Sequence, residues 1–210
     1  YGFLCGTKFN VDFKGRAAHC ASEPEAGKNA LAAACSAFML LQGISRSSKG
    51  ASRINVGKLS GGRGRNIIPD QAYMEIDLRG ETTEVNDYLV ERTQEILKGT
   101  AQSLDVQLSI EDLGTVYDIK NDPELVEYLK EVASQCPLVK AVTTHSDFGG
   151  SEDASIIIKR IQQLFGKCIY FVIGADRTAG HHQPDFDADE AALEIGFEMF
   201  KGLIQKINGC

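Results

Sequence analysis

Gln71-Ala72-Tyr73-Met74-Glu75-Ile76-Asp77-Leu78-Arg79 decides how the first half of this chain folds. Apolar side chains stand at every second position, Ala72, Met74, Ile76 and Leu78, with polar ones between them. Successive side chains on a strand point to opposite faces, so this spacing predicts a strand with one buried and one wet face. Two upstream segments repeat the pattern: residues 52–60 around Ile54 and Val56, and residues 7–14 around Phe9, Val11 and Phe13. Between them, residues 28–43 place Leu31, Ala34, Cys35, Phe38, Leu41 and Gln42 at helical spacing, and Gly43 fits a helix stop. Downstream, residues 83–101 read as a helix with Val85, Leu89, Ile96 and Leu97 inward, and Val106, Leu108 and Ile110 mark a last strand. The order βαββαβ predicts a four-stranded antiparallel sheet with both helices on one face. Residues 7–112 are long enough to form such a domain alone.

The loop between two of these strands, Gly61-Gly62-Arg63-Gly64-Arg65-Asn66-Ile67-Ile68-Pro69-Asp70, is too long for a two-residue hairpin turn. It lacks the Lys-Ser/Thr pair and the strand-to-helix setting of a P-loop, so it is not a nucleotide site. Arg63 and Arg65 read as solvated loop charges or dimer contacts.

From about residue 119 the pattern changes to alternating helices and extended pieces, the α/β signature. Asp122-Pro123 opens a helix to about Gln135, with Pro at its first position. Residues 139–145 read as extended. Ser151 is expected to cap a helix whose first turn holds Glu152 and Asp153, where carboxylates favour the helix dipole. Cys168-Ile169-Tyr170-Phe171-Val172-Ile173 is a continuous apolar run, expected of a strand covered on both faces. Asp187 with Glu190 reads as the start of a final helix running to about Ile207. Residues 119–210 hold too few strands for a whole sheet, so they are expected to be part of an α/β domain.

The net charge of −7 over 210 residues argues against a non-specific grip on nucleic acid or anionic membrane. No run approaches the roughly 18 apolar residues of a membrane span. Six cysteines, Cys5, Cys20, Cys35, Cys136, Cys168 and Cys210, form no CxxC pair. With Cys35 and Cys168 on apolar faces they read as reduced thiols in a cytoplasmic protein. The first residues carry no signal-peptide pattern and no methionine, so the chain is expected to begin mid-protein.

Four segments carry chemistry-bearing residues in order: Gly15-Arg16-Ala17-Ala18-His19, Asn66-Ile67-Ile68-Pro69, Gly150-Ser151-Glu152-Asp153, and Ala179-Gly180-His181-His182-Gln183-Pro184-Asp185. A histidine pair in a loop past an apolar run suits metal binding or proton transfer. Together the segments resemble the co-catalytic zinc aminoacylase and exopeptidase family, which includes aminoacylases, hippurate hydrolases and carboxypeptidase-like enzymes.

That resemblance implies a metal-dependent amidohydrolase acting on an N-acyl or N-aroyl amino acid, with p-aminobenzoyl-glutamate a candidate substrate. It implies two divalent metal ions, zinc or manganese, and a homodimer joined through a small lid. Residues 7–112 correspond to the lid and residues 119–210 to the C-terminal portion of the catalytic domain. The N-terminal portion, with most metal ligands and a glutamate base, is outside this sequence, so the chain alone is expected to be inactive with its metal sites empty. Residue by residue, His182 matches a metal ligand, with His181 as its neighbour. His19 matches a lid histidine that reaches the partner's site and holds the tetrahedral oxyanion. Asn66 and Arg79 match residues that recognise the substrate carboxylate, and Gly150, with Ser151 and Glu152, the pocket floor. Cys20 lies next to His19, but adjacent strand-end residues point apart, which argues against a Cys–His nucleophile. The alternative reading is a non-catalytic βαββαβ module that dimerises or binds a small ligand.

Overall fold

In the computed structural model, residues 3–144, 150–180 and 183–209 are described. Residues 3–118 with 150–156 form one compact unit, and residues 119–144, 157–180 and 183–209 another. The first unit contains β1 (Cys5–Lys14), α1 (Ala30–Gln42), β2 (Ser52–Gly61), β3 (Gln71–Gly80), α2 (Thr83–Ser103) and β4 (Gln107–Val116). Its sheet runs in the order β2-β3-β1-β4, and every neighbouring pair is antiparallel.

Alternation along β3 has the expected outcome. Ala72, Met74, Ile76 and Leu78 are buried, while Tyr73, Glu75, Asp77 and Arg79 share the other face. β1 contributes Phe9, Val11 and Phe13 to the same core. Small residues let α1 lie close: Ala30, Ala33, Ala34 and Ala37 are buried with Leu41. Cys35 is exposed, contrary to the sequence reading. The Ala30/Ala33/Ala34/Ala37/Leu41 stripe is the one that meets the sheet, which turns position 35 outward. Helix α2 buries Val85, Leu89 and Leu97, with Ile96 packed against them.

Two polar residues join this core unannounced by the hydrophobic pattern. Asn86 of α2 is fully buried and donates its amide N–H to Thr7 Oγ1 at 2.8 Å; Thr7 in turn meets Thr115 Oγ1 at 2.7 Å. The three side chains tie α2, β1 and β4 together. Thr82 caps the helix, its Oγ1 accepting from the Val85 amide at 3.3 Å.

Helices α3 (Pro123–Gln135) and α5 (Ala191–Asn208) belong to the second unit. A cleft of about 740 Å³ in that unit is lined by Val126, Ala133, Val139, Phe171, Ile195 and Met199 among others. Between α3 and α5 in sequence lies α4 (Ala154–Gln163). Three expectations need correction. Residues 168–173 form no strand, because among the described residues nothing offers them a ladder; the side chains of Asn121 and Asp122 take up the Tyr170 and Cys168 amides, both at 2.7 Å. Ser151 does not cap α4: its hydroxyl donates to the Leu4 carbonyl at 2.9 Å, and the helix begins at Ala154. Asp187 is not the cap of α5, which starts at Ala191 with Asp189 Oδ1 accepting from the Ala191 amide. Leu193, Phe197, Phe200, Ile204 and Ile207 on α5 are exposed. No helix among the described residues is long and apolar enough to cross a membrane.

Candidate functional site

The loop after β1 is held on both sides by main-chain bonds. Arg16 and Lys28 exchange amide and carbonyl, at 3.0 and 2.9 Å, and the Gly15 amide donates to the Asp70 carbonyl at 2.8 Å. A Cβ on Gly15 would lie 1.9 Å from the Lys28 carbonyl oxygen, so only glycine lets the two strands of the loop close this tightly. Further along, His19 and Ile67 form an isolated antiparallel bridge. The Ile68 amide donates to the Ala18 carbonyl at 2.9 Å, and the Cys20 amide to the Asn66 carbonyl at 3.1 Å. His19 and Asn66, far apart in sequence, are thereby neighbours on one exposed corner.

The hydrogen bonds of His19 decide its chemistry. Its Nδ1 lies 3.2 Å from each of the Ala21 amide, the Ser22 amide and Ser22 Oγ. Backbone amides can only donate, so Nδ1 is the acceptor and the ring proton resides on Nε2. An accepting Nδ1 leaves Nε2 as the ring nitrogen that can carry an N–H donor. Arg65 and Asn66 are the central residues of a turn closed by the Ile67 amide and the Gly64 carbonyl at 3.3 Å.

Arg79 and Gly150 lie elsewhere. In the register of β1 with β3, Lys14 faces Gln71 at the His19 end, and Gly6 faces Arg79 at the other. Eight residues of strand separate Gln71 from Arg79, about 26 Å at strand rise. The Leu4 amide donates to the Gly150 carbonyl at 2.8 Å, which places Gly150 and Ser151 at that far end. There Arg79 Nε donates to Asp77 Oδ2 at 2.9 Å, and Arg53 stands directly across the sheet from Arg79. The site residues named from sequence therefore fall into two groups: His19 with Asn66, and Arg79 with Gly150. His182 and His181 lie outside the described residues.

Among the described residues no three or more His, Cys, Asp or Glu side chains are grouped to hold a metal ion. Cys5, Cys20, Cys35, Cys136 and Cys168 are free thiols. Burial, helped by the nearby Asp118 carboxylate, pushes the Cys5 thiol up to about 11.

Residues 6–104 match the M20 peptidase dimerisation domain. The whole chain is 42% identical over 205 residues to a homolog of p-aminobenzoyl-glutamate hydrolase from Haemophilus influenzae, covering 98% of this chain and 48% of that protein. Residues 6–104 belong to the M20 peptidase dimerisation-domain family. It is also 39% identical, over 93% of its length and 45% of the relative's, to an indole-3-acetyl-aspartic acid hydrolase of Enterobacter agglomerans. Among solved structures, an aminobenzoyl-glutamate utilization protein of Klebsiella pneumoniae superposes with a TM-score of 0.82 at 32% identity, over 96% of this chain and 48% of that one. The YXEP protein of Bacillus subtilis, described as a dinuclear metal-binding M20 peptidase, shares the fold with a TM-score of 0.66 at 21% identity, over 96% of this chain and 49% of that one. The chain spans about half the length of the curated relatives it matches. The chain thus carries the antiparallel sheet of the M20 dimerisation (lid) domain, and the relatives named here are hydrolases.

Two features of the corner were not legible as site features in the sequence. The Nδ1 acceptor role of His19 depends on a loop conformation with no periodic signal. The sheet-length separation of Arg79 from Asn66 needed the register, which alternation alone does not fix.

Proposed function

We propose that this chain is part of an M20 amidohydrolase that cleaves the amide bond of an N-acyl or N-aroyl amino acid, with p-aminobenzoyl-glutamate the first substrate to test. The observation that carries the reading is the anchoring of His19, whose Nδ1 accepts from the Ala21 and Ser22 amides. An Nε2–H donor held in this way would suit charge that develops on the carbonyl oxygen during hydrolysis, where preorganised donors gain most. Asn66, beside it, would donate its amide N–H groups to the substrate carboxylate. Arg79 would add a guanidinium to the same task, and Gly150 would leave room for the substrate against the backbone.

Since about 26 Å of strand separates the two groups, one small substrate cannot touch both within one protomer. Two-fold dimerisation through residues 6–104, which match a dimerisation domain, would reconcile the two groups: each site would take His19 and Asn66 from one copy and Arg79 and Gly150 from the other. Residues 7–112 would then be the lid and residues 119–210 the C-terminal portion of the catalytic domain. His182 would be this chain's ligand to one of two divalent ions, zinc or manganese, and the general base would come from a segment outside this sequence. A cytoplasmic setting fits the free thiols.

The test is release of p-aminobenzoate from p-aminobenzoyl-glutamate by the full-length protein, before and after dialysis against a chelator. Hydrolysis that is lost with the chelator, restored by zinc or manganese, and reduced in His19→Ala supports the reading. Turnover indifferent to both changes overturns it.

A further inference from the structure

The corner that carries His19 is crowded with cations in a chain of net charge −7. Arg63 is matched by Asp70 at 2.7 Å, and Lys28 by Asp105 at 2.6 Å. Arg16 spends its Nε on the Ala26 carbonyl. Arg65 is different. It is exposed, occupies the turn position beside Asn66, and its side chain makes no hydrogen bond or ion pair with any described residue. Arg65 is therefore a guanidinium with all its donors unengaged by the described residues, a single residue from Asn66.

We propose that Arg65 is the specificity determinant for an acidic amino acid: it binds the side-chain carboxylate of the N-acyl amino acid. This rests on the function proposed above. An acyl-glutamate or acyl-aspartate presents three groups of anionic character in hydrolysis: the developing oxyanion, the α-carboxylate and the side-chain carboxylate. The corner offers three donors, the Nε2–H of His19, the amide of Asn66 and the guanidinium of Arg65. The forked donor geometry of arginine matches a carboxylate with two parallel bonds. A protein of strongly negative charge repels a dianion at long range, so local positive charge at the site is what lets one approach. The two relatives cited above differ in their acyl groups, aminobenzoyl and indole-acetyl, and share an acidic amino acid in their names. Arg63, neutralised by Asp70, cannot take this part without breaking its own pair.

The experiment compares N-(4-aminobenzoyl)-glutamate with N-(4-aminobenzoyl)-glutamine, equal in shape and differing in one charge. Both kcat/KM and calorimetric binding are read on the full-length protein, its Arg65→Gln and Arg65→Lys variants, and Arg79→Gln. Loss of a charge-assisted pair is expected to shrink the glutamate-over-glutamine ratio about 10- to 100-fold in Arg65→Gln. Arg65→Lys is expected to keep part of the ratio, and Arg79→Gln to weaken both substrates alike. A ratio unchanged in Arg65→Gln, or one abolished by Arg79→Gln instead, overturns the assignment, as does a wild-type protein that neither binds nor prefers the glutamate conjugate. A protein that binds the glutamate conjugate through Arg65 yet hydrolyses neither compound keeps this inference and overturns the proposed activity.

Discussion

The amide of Cys20 donates to the carbonyl of Asn66 at 3.1 Å, and this bond joins the loop bearing His19 to the turn bearing Asn66. Only the main chain of Cys20 is used. Cys20→Ala should therefore leave the proposed turnover by the full-length protein within about twofold, since surface substitutions away from special contacts have small effects. On the oxyanion role proposed for it, His19→Ala should lower kcat about 100- to 1,000-fold with the fold retained. Steady-state kinetics with circular dichroism on both variants checks the pair. A large loss in Cys20→Ala would return the thiol to the mechanism.

Glycines of this fold differ in what surrounds them, and a matched pair tests it. A Cβ on Gly15 would meet the Lys28 carbonyl oxygen at 1.9 Å, a backbone atom that cannot swing away, whereas a Cβ on Gly99 in α2 would meet nothing within 4 Å. Gly15→Ala should destabilise by about 2–3 kcal/mol, in the upper range of single substitutions. Gly99→Ala should stabilise by about 0.5–1 kcal/mol through helix propensity. Urea melts of the two variants should move in opposite directions.

Strand periodicity made the lid sheet readable because each strand has one wet face, so Phe9, Val11, Phe13 and the Ala72–Leu78 series announce themselves. The same logic misled at Cys168–Ile173. An apolar run says only that a segment is to be covered, and a strand exists only where a neighbour supplies the ladder; in the described chain Asn121 and Asp122 supply side chains instead. Asn86 was missed for the converse reason. A polar residue in a helical stripe looks outward-facing until its partner, Thr7 on a strand far away in sequence, is known. The His19–Asn66 corner is built from loop hydrogen bonds, which leave no periodic trace; the motif residues could be named, but their grouping could not.

The cysteines of the lid should separate by reactivity. Thiolate is the reactive form. Cys5 is fully buried, its Sγ donates to the Val116 carbonyl at 2.9 Å, and its thiol is pushed up to about 11 by burial and Asp118. At about pH 8, below even the ordinary thiol value, it is protonated and shielded, while Cys20 is exposed. A disulfide reagent followed by peptide mapping should label Cys20 readily and Cys5 only after denaturant is added. Labelling of Cys5 in the native protein would mean that the start of β1 opens at equilibrium.

Asp122 gives the second unit a pH dependence whose sign can be worked out. Its carboxylate is held below the ordinary range chiefly by the Cys168 amide at 2.7 Å, and further by the Gln162 side chain and the Lys167 charge, against a burial effect of opposite sign. A carboxyl whose folded value is depressed stabilises the fold above its unfolded value, and that contribution is lost as the pH falls through the folded value. Asp122→Asn keeps an acceptor but loses the charge. The variant should melt lower than wild type at neutral pH, and the gap should close as the pH falls through the depressed folded value of Asp122. Thermal melts from about pH 7 down to about pH 2.5, followed by the fluorescence of a reporter placed on α3, measure the difference across that window. A gap that stays constant across that range would mean that Asp122 acts through shape and hydrogen bonding alone, with no contribution from its charge.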